Sequence, residues 1–217
     1  MLKKIIALEG SDGSGKGQIA AMIRKHAMKA GVLTEVIDKG DVELTEKLTA
    51  IINIANIQSV ELSFEWDKQP HVLCRIAREI VRYRQAQMSS AQLVILDRYL
   101  MSTMAHAFSL GVEENSNLVK ELILICGAQR RVDGVVHCWV PFEVGWERVS
   151  RDLGRSRFRL SRKEAKGESH NQLLYDNLER IIEQNEFGWI IHRVENTGSL
   201  RDMDELVKNE LLDKLLS

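Results

Sequence analysis

Short apolar runs of strand length occur at 4–8, 33–37, 93–96, 135–140 and 189–194, each bounded by Gly, Asp or charged residues. Between them, segments 18–30, 42–58, 71–87, 117–126, 142–151 and 173–186 place apolar residues three and four apart, with charges on the opposite face. That spacing predicts amphipathic helices, and 200–215 predicts a closing helix of the same kind. Val- and Ile-rich strands that alternate with such helices form βαβ units, whose right-handed crossovers give a parallel sheet covered on both faces. The expected fold class is therefore α/β: a three-layer α/β/α sandwich around a five-stranded parallel sheet.

A chain of 217 residues with 44% apolar content buries one good core, so a single domain over 1–217 is expected. Only Pro70 and Pro141 occur, and neither low-complexity sequence nor an internal repeat marks a linker. Lys and Arg total 30 against 31 Asp and Glu, and a net charge of -1 gives no global pull toward nucleic acid or a membrane surface. Any polyanion site must be local. Cys74, Cys126 and Cys138 are odd in number and set among apolar residues, which suits reduced core thiols rather than disulfides or a zinc site. No apolar run reaches the ~20 residues that span a bilayer, and the run at 5–8 is too short for a signal peptide, so a cytoplasmic protein is expected.

The local polyanion site is found at once. Gly10-Ser11-Asp12-Gly13-Ser14-Gly15-Lys16 follows the first predicted strand and opens the first helix, the context that the G-x-x-x-x-G-K phosphate loop requires. Its glycines permit the backbone turns that aim successive N–H groups inward, and the helix terminus behind them adds roughly half a positive charge. Lys16 then reaches the β- and γ-phosphates. Gly10 to Gln18 are thus expected to bind ATP within a P-loop NTPase fold. The Ser or Thr that usually follows the lysine and ligates Mg²⁺ is absent: Gly17 and Gln18 stand there. Mg²⁺ is expected as cofactor, held another way.

A second acidic strand end follows in Asp97-Arg98-Tyr99, at the carboxyl edge where open α/β sheets bind ligands. The phosphate loop from Glu9 to Lys16, with Asp97-Arg98-Tyr99-x-x-Ser102-x-x-Ala105 about 80 residues later, resembles thymidylate kinase of the nucleoside monophosphate kinase superfamily. Motif order continues through Glu147-Arg148-x-x-Arg151 and the arginine-rich stretch beyond, so the likeness spans most of the chain. The resemblance implies that Asp12 contacts the acceptor's 3′-hydroxyl and that Asp97 positions Mg²⁺ through water. It also implies that Arg98, whose planar fork suits two phosphate oxygens, holds the acceptor phosphate beside Ser102. The resemblance makes Phe64 the candidate platform for the base, with a Phe that simply fills the core as the competing reading. Arg75 and Arg78 lie three apart on one helix face, near the place of the family arginine that reads the acceptor, and spacing does not choose between them.

Departures from the family pattern concentrate on the acceptor. The Tyr or Phe that usually follows Ser-x-x-Ala is His106, whose imidazole can hydrogen-bond a 2′-hydroxyl, so ribose and deoxyribose are both open. The segment between Phe64 and Asp97 is also longer than the family pattern.

Arg148, Arg151, Arg155, Arg157, Arg159, Arg162 and Lys163 face Asp152 alone, and a short basic lid over about 152–166 is expected. Such a segment suits closure over a triphosphate. Family members without a basic residue inside the phosphate loop supply the catalytic arginine from the lid, which here points to Arg155 or Arg157, then Arg151, with Arg148 nearer the adenine. The leading expectation is ATP-dependent phosphorylation of a nucleoside monophosphate, dTMP first, by a homodimer without nucleic-acid or membrane partners. Two alternatives stand beside it: a kinase of the same fold with another nucleotide or related phosphate acceptor, and a P-loop ATPase or switch with a protein or RNA partner.

Overall fold

The computed structural model describes residues 2–38, 68–112, 131–155 and 167–217. The chain opens with β1 (Lys4–Glu9), α1 (Lys16–Lys29) and β2 (Thr34–Ile37), then passes to α2 (Lys68–Met88), β3 (Leu93–Asp97) and α3 (Leu100–Ser109). There follow β4 (Gly134–Trp139), α4 (Phe142–Arg155), α5 (Glu168–Gln184), β5 (Ile191–Glu195) and a closing helical stretch from Leu200. All pairings are parallel, in the order β2-β3-β1-β4-β5. Ile6 lies opposite Ile95 on one side and Gly134 on the other, so the ends of β1 and β3 reach the same edge. The expected five-stranded parallel sheet is the one observed.

Because the sheet is covered on both faces, alternate residues of each strand feed two cores. Ile5, Ala7, Val94, Leu96 and Val135 pack toward α2, α3 and α5, while Ile6, Leu8, Ile95, Val136 and Cys138 pack toward α1 and the closing helices. Leu8 is fully buried, and truncating such a residue to Ala removes about 2–5 kcal/mol of stability. Among the described residues, no helix is long and apolar enough to cross a membrane.

Three details differ from the periodicity. Helix α3, running LMSTMAHAFS, carries no charged face and so gives no amphipathic signal, yet seven of its residues are buried. Strand β5 begins at Ile191 rather than 189, because Trp189 turns inward to stack between Tyr99 and Phe187 with centroids 5.9 and 4.3 Å away. The closing helix is interrupted: α6 (Leu200–Leu206) passes through a wide π turn at Val207–Leu211 into α7 (Leu212–Leu216). The helices expected over 42–58 and 117–126 lie outside the described residues.

Candidate active site

The phosphate loop forms where β1 hands over to α1. Gly15 starts the helix at φ 83, and no side chain caps it, so the helix terminus faces the loop's concavity with its own amides. Substitution at Gly13 or Gly15 is barred from outside as well as by φ. A Cβ on Gly13 would lie 2.1 Å from the Gly145 carbonyl oxygen, and one on Gly15 would lie 2.1 Å from Asn196 Nδ2. The loop is thus braced by distant parts of the chain. Asn196 Nδ2 donates to the Ser14 carbonyl at 2.9 Å, and Arg148 donates to the carbonyls of Gly13 at 3.2 Å and Asn196 at 2.9 Å. Ser14 is buried and donates to the Ser11 carbonyl, which makes it an internal strut.

Lys16 lies folded within this loop, Nζ donating to the Ser11 carbonyl at 2.5 Å. Burial, with the Arg98 charge adding to it, pulls its pKa from 10.5 down to about 8 against the pull of Asp12 and Asp97. An ammonium so placed gains from any phosphate that enters the loop.

Opposite stands the strand-end turn of β3. Arg98 Nη1 donates to the Gly10 carbonyl at 2.8 Å, Nη2 pairs with the Asp12 carboxylate, and a weaker bond at 3.4 Å reaches Ser102. The guanidinium therefore points at the phosphate loop. Its backbone has φ 61, a left-handed conformation that costs a non-glycine residue roughly 1–3 kcal/mol and persists only where surroundings enforce it. Burial works against the Arg98 charge, but Asp12, then Asp97 and Glu9, outweigh it and raise the pKa. Glu9, wholly buried, accepts from the Tyr99 amide at 2.9 Å, the Ser102 amide at 3.3 Å and the Ser102 hydroxyl.

Two cavities meet at this pair. The larger, about 690 Å³, runs over Gly13, Lys16, Gly17 and Gln18 past Arg148, Arg151 and Asn196 to Leu200. The narrower is walled by Ser11, Ser102 and Ala105 on one side and by Phe142, Trp146 and Tyr175 on the other. Asp12 and Arg98 line both. Asp97 borders the larger one, and its Oδ1 is buried without a hydrogen-bond partner among the described residues. Among the described residues, no three His, Cys, Asp or Glu side chains gather as a metal cage, so a cation here would keep most of its waters.

Helix α2 carries a buried row of arginines. Arg78 Nη2 donates to Glu79 at 2.6 Å, whereas the Nε of Arg75 is buried with no hydrogen-bond partner among the described residues. Burial, then the neighbouring charge of Arg78, holds Arg75 well below the usual arginine range; Glu79 opposes this and Arg98 adds to it. His106 is buried in α3, one residue past the cavity-lining Ala105, and does not itself line either cavity. Arg151 is exposed and pairs with Glu147 one turn back. Arg155 closes α4 with its side chain outside the described part, and Phe64 and Arg157 lie outside the described residues.

Sequence reasoning missed Arg82, Asn196 and the aromatic wall of the narrow cavity, and saw Glu9 only as a letter of the motif. Asn196 offered one signal, a polar residue just past the carboxyl end of a strand.

The thymidylate kinase family matches this chain over residues 8–196. A curated relative, the probable thymidylate kinase 1 of Saccharolobus solfataricus, is 29% identical over 156 residues, which cover 70% of this chain and 72% of that protein. Among solved structures, deoxyadenosine kinase from M. mycoides with products dCMP and a flexible dCDP aligns with TM-score 0.63 at 21% identity, covering 96% of this chain and 99% of that one. The same enzyme with bound dCTP gives TM-score 0.62 at 19% identity, with 96% and 99% covered. At these identities the structures establish a shared P-loop fold and no more. The sequence match from the end of β1 to the residue after β5 goes further: this chain belongs to the thymidylate kinase family of ATP-dependent phosphotransferases.

Proposed function

We propose that the protein transfers the γ-phosphoryl group of ATP to a nucleoside monophosphate, with dTMP as the first acceptor. The observation that carries this reading is the sharing of Asp12 and Arg98 by two adjoining cavities, one of which contains the phosphate loop. ATP would lie along the larger cavity, its phosphates on the loop amides and Lys16, its adenine toward Arg148. The monophosphate would enter from the other side, its phosphate on Arg98 and Arg75 and its sugar near Asp12. Arg75 is favoured over Arg78 because Glu79 already neutralises Arg78. The bond from the γ-phosphorus to the ADP oxygen breaks, and a new one forms to an oxygen of the acceptor phosphate. Catalysis is then positioning and charge stabilisation.

Asp97, whose Oδ1 has no hydrogen-bond partner among the described residues, would hold Mg²⁺ through water, and the ion would supply positive charge that neutralises the phosphates. Arg155 or Arg157 from the segment 152–166 would bring the lid charge, with Arg151 next. The working enzyme is read as one kinase unit over 1–217, dimeric and cytoplasmic by family likeness.

An acceptor panel with ATP and Mg²⁺, read as ADP formed, tests the proposal. Saturable stimulation by dTMP is expected. Response to another monophosphate alone would move the acceptor, and hydrolysis indifferent to every monophosphate would discard the transferase reading.

A further inference from the structure

Parallel strands leave backbone groups unpaired where they end, and at the active edge of this sheet one side chain collects them. Arg82, with 0% exposure, projects from α2 to the ends of β2 and β3. Its Nη2 donates to the carbonyls of Ile37 at 2.7 Å and Asp97 at 2.9 Å, and its Nη1 donates to the carbonyl of Arg98 at 2.8 Å. Glu79 accepts from the same Nη1 at 2.6 Å and so fixes the plane of the guanidinium.

The two peptide units flanking the Arg98 Cα are consequently held at both ends. In the first, the Asp97 carbonyl accepts from Arg82 and the Arg98 amide donates to the Leu8 carbonyl at 2.9 Å. In the second, the Arg98 carbonyl accepts from Arg82 and the Tyr99 amide donates to Glu9 at 2.9 Å. Fixing both planes fixes φ and ψ of the residue between them, and with them the direction of its Cβ. This accounts for a left-handed arginine at φ 61 where glycine would be the unstrained choice. Relaxed to an ordinary φ, the same side chain would leave the Gly10 carbonyl and Asp12.

We infer that Arg82, oriented by Glu79, is a positioning residue that holds Arg98 in its strained conformation and so aims the Arg98 guanidinium at the acceptor phosphate. The inference rests on the reading that Arg98 serves the acceptor. A planar fork is needed, because three carbonyls from two strand ends must be met at once in one plane; the point charge of lysine cannot do that. Arg82 itself touches no substrate in this arrangement.

A double-mutant cycle tests it, since groups acting through one another do not add. Arg98→Ala is expected to lower acceptor kcat/KM about 10³-fold in the native background. Arg82→Met should lower it about 10²-fold, the scale of a misplaced catalytic group, with the Kd for ADP changed less than about 3-fold. In the Arg82→Met background, Arg98→Ala should then cost only about 10-fold, the factor that remains when Arg82 acts wholly through Arg98. If both substitutions multiply in full, Arg82 only supports the fold and the inference is overturned. If Arg98→Ala alone leaves acceptor kinetics intact, the reading of Arg98 fails, and with it the inference. Should Arg82→Met yield no folded protein, the cycle is run with Arg82→Lys, which keeps the charge and loses the fork. Coupling with Arg98→Ala is expected there too, and its absence overturns the inference in the same way.

Discussion

The two sides of the active site are built on opposite plans. On the proposed donor side, one continuous stretch from Gly10 to Gln18 would meet the phosphates chiefly through backbone amides. On the proposed acceptor side, side chains from β1, α2, β3 and α3 converge, and several depend on a neighbour for their direction. The first plan needs no particular side chain at most of its positions, because amides are common to all residues, but it is intolerant at Gly13 and Gly15, where a Cβ would clash. The second concentrates charge where it is wanted, yet those members are exposed to the loss of their partners.

The largest expected effect separates the sides cleanly. Lys16→Ala should weaken ATP binding and lower kcat/KM by about 10³-fold, and near-normal transfer by this variant would refute the kinase assignment. Calorimetric titration of ATP into Arg98→Ala should instead show a Kd within about 2-fold of native, since a strand-end arginine that serves the acceptor leaves the loop amides in place.

Next in size is the contrast between two arginines one helical turn apart. Arg75→Ala should raise the acceptor KM by about 30-fold, with little loss of stability, because it removes a charge that burial disfavours and whose Nε has no hydrogen-bond partner among the described residues. Arg78→Ala should do the reverse. It strips one cation from the fully buried Glu79, and thermal unfolding should report a loss of about 3 kcal/mol. Equal effects on KM from both would erase the distinction drawn from their pairing.

A smaller effect should appear as a pH limb on the donor side only. Lys16 titrates near 8 in the folded protein against an ordinary 10.5, so the folded state sheds that proton first. Its contribution to stability therefore rises as pH climbs from about 8 toward 10.5, while ATP affinity, which needs the charged ammonium, falls over the same interval. Lys16→Arg should remove the limb from kcat/KM for ATP.

The smallest effect concerns Gly17. A Cβ there would meet nothing within 4 Å, so Gly17→Ser should leave the unfolding temperature unchanged. It should also tighten Mg²⁺ in the presence of ADP by up to about 10-fold, the value of one new ligand. A magnesium titration followed by calorimetry reads this directly.

How much of this was legible beforehand follows the same division. The strands, the sheet and the phosphate loop could be read because their signals are local: an apolar run of the right length, and glycines at fixed offsets. Asp97 and Arg98 were legible through their strand-end position. Helix α3 was not, since a largely buried helix without a charged residue has no polar face to betray its period. Arg82 and Asn196 were illegible for a different reason. Their worth depends on which strand ends lie side by side, and that is a property of the order β2-β3-β1-β4-β5 rather than of any window of sequence.

Consider finally the contact between Gly13 and Gly145, where a loop and a helix touch backbone to backbone. It shapes the evolutionary paths open to the enzyme. A basic residue supplied from inside the loop would need a long side chain at position 13, in a left-handed conformation and against the Gly145 carbonyl. No single replacement achieves that. If the proposed lid arginines supply charge to the transferring phosphate, a change of helix packing separates that arrangement from one with the charge in the loop.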